Sequence, residues 1–256
     1  MRSDLAKIVT FHFDALASDY DRKSLNRKKY NTAVDKLIIK YLMRQKKPLV
    51  LDVGCGTGSR AENLKSKIGG SKFYCVDSSL EMIKIAKKKK LDYVAKADME
   101  KLPFQADYFD DILCLFNSFG YLNTYEKRLR TLYKFNKALK SEGLLIIDVM
   151  NSWHLGEGRE YKRSLMRAFW DNFVTPNVLG FAVGDRYFEL MIGNKVIPGF
   201  VHGFSVGEIT GLLKNSGFEI IQSYIIGYDT GQIKKETRDG QLLFICRKIF
   251  NLTNEN

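Results

Sequence analysis

The chain has 256 residues, 45% apolar and 27% charged, enough for one generous α/β domain or a domain with a sizeable insertion. No apolar run approaches bilayer-spanning length, and Asp4 and Lys7 interrupt the region where a signal peptide needs its apolar core, so a cytoplasmic protein is expected. The formal net charge of +12 favours anionic partners such as RNA or acidic membranes. Lysines that merely solvate helix faces account for the same charge, and RNA binding stays open.

The first predicted element is a helix over roughly 27–44, with Tyr30, Val34, Leu37 and Tyr41 on one face. From residue 45 onward strand-like and helix-like segments alternate, the pattern of a parallel sheet flanked by helices. A strand at about 48–53 precedes a helix near 59–68. The strand KFYCV at 72–76 leads into Asp77. Ser78 with Glu81 forms a capping box for a helix that turns Leu80, Ile83 and Ala86 inward.

A short strand at about 93–97 ends at Asp98, and DILCLF at 111–116 leads into Asn117. Thr124 opens a longer helix with Leu129, Leu132, Phe135 and Leu139 as its stripe, which Gly143 terminates. LLIIDVM is the fifth strand. Residues 188–201 then form two strands joined at Gly193-Asn194, an insertion in the repeating unit. Ser205 and Glu208 cap a helix carrying Ile209, Leu212 and Leu213, closed by Gly217. FEIIQSYII and QLLFICRK are the last strands, and NLTNEN is a loose tail.

The four cysteines lie far apart beside apolar runs, so buried free thiols are expected, with neither a zinc knuckle nor a disulfide framework. No metal site is expected.

The stretch VLDVGCGTGS ends a strand in Gly54, Gly56 and Gly58. Such a turn offers backbone N–H groups and a positive helix end to a ligand, and glycine lets the ligand approach closely. A dinucleotide fingerprint needs a further Gly or Ala where this chain has Ser59, and a phosphate loop needs a lysine that is missing. Asp52, two residues before the first glycine, suits a cationic amino group rather than a pyrophosphate. Asp77 at the next strand end is placed to accept ribose hydroxyls. Asp98 is placed for an adenine amino group, with Met99 packing on the ring. Either aspartate alone would read as a helix cap; the succession at strand ends favours a positively charged nucleoside.

These segments resemble a class I S-adenosylmethionine-dependent methyltransferase of the broad ubiquinone/menaquinone-biosynthesis type. VLDVGCGTGS is similar to that family's first motif, YCVDSS to its second and KADMEKLPF to its third. FDDILCLFNSFGYL and LKSEGLLIIDVMN are similar to its later segments. The resemblance implies a Rossmann-like three-layer sandwich, with a seven-stranded, mostly parallel sheet whose last strand inserts antiparallel beside the fifth. Its implied core is 46–150 with 205–250. Residues 1–45 would be a helical lid segment, 151–204 the insertion building an acceptor pocket, and 251–256 the tail.

The implied cofactor is S-adenosylmethionine, leaving S-adenosylhomocysteine. Gly54, Gly56 and Gly58 would line its methionine and ribose portions and Asp52 would sit near the amino group. Asp77, with Ser78 and Met82 beside it, would hold the ribose. Asp98 and Met99 would take the adenine, Phe116 and Asn117 the sulfonium side, and Tyr20, with Tyr30 as the second candidate, would cover the cofactor.

Methyl transfer needs orientation first, and a base only if the acceptor must lose a proton. His202, His154 and Tyr20 are the weak catalytic candidates. The segment after the fourth strand, Asn117-Ser-Phe-Gly, lacks the Asn/Asp-Pro-Pro-Tyr pattern of base and amide methylation. A small-molecule acceptor with an O, N or C nucleophile leads. The alternatives are a tRNA methyltransferase, from the charge and a likeness of FVHGFSVGEI to wobble-uridine enzymes, and a catalytically silent binder.

Overall fold

The computed structural model describes residues 5–156, 165–174, 181–192 and 195–249. The Gly193-Asn194 junction and the tail at 251–256 lie outside them. The five strands β1 (Leu49–Val53), β2 (Lys72–Asp77), β3 (Tyr93–Lys96), β4 (Phe109–Cys114) and β5 (Leu139–Val149) are parallel. β8 (Phe218–Ile226) and β10 (Gln241–Lys248) complete the sheet, with β10 lying antiparallel between β5 and β8.

With β9 (Ile233–Lys234) at its edge the sheet order is β3-β2-β1-β4-β5-β10-β8-β9, so among the described residues the sheet has eight strands where seven are expected. The extra strand is β9, a two-residue edge pairing with Ile225 and Ile226 that is too short for any periodicity to announce. A separate antiparallel hairpin, β6 (Asp185–Ile192) and β7 (Lys195–His202), is the insertion expected after β5.

Strands buried on both faces need helices on both, and the two core clusters lie on opposite sides of the sheet. One packs α6 (Tyr125–Ala138) and, beyond the five-residue α7 (Leu165–Phe169), α8 (Val206–Asn215) through Leu132, Phe135, Ile209 and Leu212. The other packs α3 (Lys28–Leu42), α4 (Ser59–Lys67) and α5 (Leu80–Ala86) through Val34, Ile38, Leu64 and Ile83. All four cysteines are buried and free. Among the described residues no helix is long and apolar enough to cross a membrane.

Several local expectations change. The cap of α5 is Ser79, whose Oγ accepts the Met82 N–H at 3.1 Å, because Ser78 still belongs to the turn after β2. Leu80 consequently faces outward, and Met82 takes the buried place beside Ile83 and Ala86. α6 ends at Ala138, and Gly143 sits inside β5, where the β4–β5 register shifts. A Cβ there would lie 2.8 Å from the Lys140 carbonyl oxygen, so the glycine serves a bulge and not a helix stop.

The N-terminal segment holds more helix than expected. α1 (Leu5–Leu16) and the short α2 (Tyr20–Ser24) precede α3, and α1 buries Leu5, Val9, His12 and Leu16 at helical spacing.

Candidate active site

The glycine turn crosses from β1 to α4 with Gly54, Gly56 and Gly58 at φ of +76°, +57° and +73°. L side chains rarely adopt these angles. A Cβ on Gly54 would also lie 2.6 Å from Ser118 Oγ, so the backbone there is packed as closely as glycine permits. The N–H groups of Gly54 and Cys55 bond the Val76 carbonyl, at 2.8 and 3.1 Å. Asp77 accepts the Gly56 N–H at 2.9 Å on one oxygen and the Ser79 N–H at 2.9 Å on the other. Burial raises the Asp77 carboxyl above the ordinary range, against the lowering effect of those N–H donors.

The N-terminal segment is fastened over this turn. Asp21 accepts the hydroxyls of Thr57 and Ser59, at 2.5 and 2.7 Å. Asp14 accepts the Ser79 hydroxyl at 2.5 Å and the Glu81 N–H at 3.2 Å. The Tyr20 ring lies 3.5 Å from the place of a Cβ on Gly56. The Arg27 guanidinium stacks 3.6 Å from the Phe116 ring centroid and lies 5.1 Å from that of Tyr20. Its Nε is buried without a hydrogen-bond partner.

Beneath this cover is a cavity of about 330 Å³. Tyr20, Gly54, Gly56, Asp77, Ser78, Met82, Asp98, Met99 and Phe116 line it, so the structure brings nine of the twelve expected cofactor residues to one space. Asp98 also accepts the Glu100 N–H at 2.9 Å, the capping role open to it from sequence.

Asp52, Gly58 and Asn117 do not line this cavity. Asp52 is 4% exposed beneath the turn, and burial raises its carboxyl to about 7. Gly58 precedes α4, where a Cβ would meet Leu91 at 2.9 Å and Ala86 at 3.1 Å; its absent side chain lets the turn pack on α5.

Asn117 belongs to a strained turn. Phe116 and Asn117 both have positive φ, 53° and 57°, costly for an aromatic residue. The turn is held from several sides: the Asn117 N–H donates to Asp148 Oδ1 at 3.0 Å, Asn117 Oδ1 accepts the Met150 N–H at 2.8 Å, and its amide donates to the His202 carbonyl at 3.2 Å. The result aims the Phe116 ring into the wall between the first cavity and a second one of about 960 Å³. Tyr121 and Phe188 line both as well.

His154 lines the second cavity, and His202 lines neither. The His202 imidazole is 1% exposed, with Nδ1 2.7 Å from Asp185 and Nε2 3.0 Å from Glu208. The third histidine, His12, is in the first cavity's wall, where burial lowers its pKa and its Nδ1 lacks a hydrogen-bond partner. Arg27 and His12 carried no motif signal; the helical spacing of Leu5, Val9, His12 and Leu16 could have placed His12 on a buried face.

The residues fit S-adenosylmethionine: a glycine cradle that a Cβ would fill, a carboxylate at the second strand end, and an orphaned guanidinium nitrogen near the turn.

Comparison with known proteins agrees. Residues 50–143 match a family described as a methyltransferase domain. The chain is 29% identical over 214 residues to an uncharacterized protein of Methanocaldococcus jannaschii, covering 83% of this chain and 77% of that one. It is 29% identical over 216 residues to the demethylmenaquinone methyltransferase of Thermotoga maritima, covering 81% and 86%. Its fold matches a crystal structure of an S-adenosylmethionine-dependent methyltransferase from Methanosarcina mazei with a TM-score of 0.66, at 19% identity, over 84% of this chain and 98% of that one. The motif segments, the sheet order and these matches agree: residues 50–143 are a methyltransferase domain, and the chain has the fold of the S-adenosylmethionine-dependent methyltransferases.

Proposed function

We propose that the enzyme works in the cytoplasm and methylates a small-molecule acceptor held in the second cavity. In this reading residues 1–45 are the lid and residues 151–204 cap the acceptor. The observation that carries it is the pair of cavities meeting at Phe116, one lined by the cofactor motifs and the other by the ends of β4 and β5 and the insertion. The demethylmenaquinone methyltransferase similarity supports a small acceptor.

When bound, S-adenosylmethionine supplies a methyl group already activated by its sulfonium. The chain's part is to orient, to exclude water and to handle any proton. Asp77 would accept the ribose hydroxyls, Asp98 and Met99 would take the adenine, and Gly54 and Gly56 would let the amino-acid portion lie against the turn. Arg27 is the cation for its carboxylate, since that guanidinium already stacks in the cavity wall with an unmet donor.

Labelled-methyl transfer into fractionated extract, with RNase-treated and untreated halves, tests the assignment. Label in a small-molecule fraction that survives RNase is the expected result. Label confined to RNase-sensitive material would assign the acceptor to RNA, the reading that the charge of +12 keeps in view.

A further inference from the structure

The wall of the second cavity contains a carboxylate with no part in the cofactor site. Asp148 stands near the C-terminal end of β5, 1% exposed, yet it lines that cavity together with Tyr30. The Tyr30 hydroxyl donates to Asp148 Oδ2 at 3.0 Å, across 118 residues of sequence. The other oxygen accepts the Asn117 N–H, tying the carboxylate to the turn that sets Phe116 between the two cavities. Each oxygen of a carboxylate has a second lone pair, so both bonds leave acceptor capacity toward the cavity.

The other groups around the cavity are engaged elsewhere or belong to other walls. Asp171 pairs with Arg167 at 3.0 Å, and His154 Nδ1 lies 3.3 Å from the Gln241 amide. Tyr30 from α3, Arg60 from α4 and the N–H groups of Phe116 and Asn117 act on Asp148 directly, and its charge in turn raises the buried Cys114 thiol on β4. Asp229, Tyr228 and Arg186 line the same cavity, the Tyr228 ring 5.8 Å from that of Tyr30.

We infer that Asp148, positioned by Tyr30, receives the proton given up by the acceptor, and that the acceptor gives it up from a hydroxyl or an amine. This inference rests on the small-molecule reading of the second cavity. The step is a proton transfer alone: the O–H or N–H bond breaks, its electron pair stays on the oxygen or nitrogen, and the proton moves to the Asp148 carboxylate and later to solvent. Burial raises the Asp148 carboxyl above its ordinary value, while Arg60, the Asn117 N–H, the Tyr30 hydroxyl and the Phe116 N–H hold it down.

Two variants separate this role from a structural one. Asp148→Asn keeps an oxygen for the Asn117 N–H and removes the charge, and Tyr30→Phe removes one hydroxyl. Initial rates of labelled-methyl transfer are measured against pH with three probes: naphthohydroquinone, a primary amine, and the RNase-treated small-molecule fraction of cell extract. Cofactor affinity and melting temperature are measured in parallel.

The expected result is a rate loss of about 10²-fold or more in Asp148→Asn with cofactor affinity and melting temperature held. In Tyr30→Phe the acidic limb of the pH profile moves to higher pH, because a donor that lowers the carboxyl pKa is gone. The hydroquinone and amine arms tell hydroxyl from amine. Variants that lose rate only as far as they lose affinity or melting temperature, with an unmoved limb, overturn the proton role and leave the acceptor cavity standing. Wild-type label found only in RNase-sensitive material, or in no fraction, overturns the small-molecule reading and the inference with it.

Discussion

Asp77 concentrates several functions in one side chain, because its two oxygens already organise the glycine turn and the start of α5. A ribose would use its remaining lone pairs, so Asp77→Ala should lower S-adenosylmethionine affinity about 10–100-fold, the loss of one or two charge-assisted hydrogen bonds. Calorimetry giving unchanged affinity would remove Asp77 from the ribose. Arg27 offers a sharper discrimination. Arg27→Met keeps a long apolar stem against Phe116 and deletes the charge. S-adenosylhomocysteine should then bind about tenfold more weakly, while methylthioadenosine, which lacks the amino-acid carboxylate, should bind as before; equal losses for the two ligands would place the carboxylate elsewhere. The aspartates and glycines were legible in sequence because each stands at a strand end, and strand ends of a parallel sheet gather at one edge. Arg27, His12 and the Tyr30–Asp148 pair were not, since α1 reaches the site only by packing on β7 and α5, and α3 by packing on α4 and β8.

The insertion hairpin is held to the core by an ionic cluster at its base. His202 on β7 bridges Asp185 on β6 and Glu208 on α8, and Arg128 from α6 approaches both carboxylates, at 3.6 and 3.2 Å. Opening a buried cluster leaves charge without compensation. His202→Ala should therefore lower unfolding free energy by about 3 kcal/mol, seen as a reduced denaturant midpoint, and increase proteolysis within the hairpin. Cofactor affinity should hold, because His202 lines neither cavity. A variant as stable as wild type but without methyl transfer would instead make His202 part of the chemistry. The hairpin itself was legible from alternation around Gly193-Asn194, yet its partner was not: an antiparallel pair specifies its own register and says nothing of what it lies against. The same limit explains β9, where two residues pair only because β8 offers an edge. It also explains the displaced cap on α5, since YCVDSS offers two adjacent serines and only the turn geometry chooses Ser79.

The sheet as a whole carries a buried carboxylate that works against it at neutral pH. Asp52 sits within β1 at the sheet's centre, raised from 3.8 to about 7 by burial, with Arg60 opposing and Asp77 and Asp35 adding to the rise. Asp111 on the adjacent strand β4 is likewise raised to about 6 by burial, against Arg44 at 2.7 Å. A folded state whose carboxyl pKa lies above the unfolded value binds more protons than the unfolded chain between the two values, so stability falls as pH rises through that window. For Asp52 the window runs from about pH 4 to 7, and the loss is at most about 4 kcal/mol. The denaturant midpoint should accordingly fall between about pH 4 and pH 7, the span of that titration. Asp52→Asn, which keeps the shape and cannot ionise, should flatten most of that fall and be the more stable protein at the alkaline end. A variant whose profile runs parallel to wild type would mean that Asp52 keeps one protonation state throughout and that the other raised carboxyls, Asp111, Asp77 and Asp148, carry the dependence. Either outcome bears on the cofactor turn, because a charge appearing on Asp52 lies under the same backbone that Gly54 and Gly56 present to the ligand.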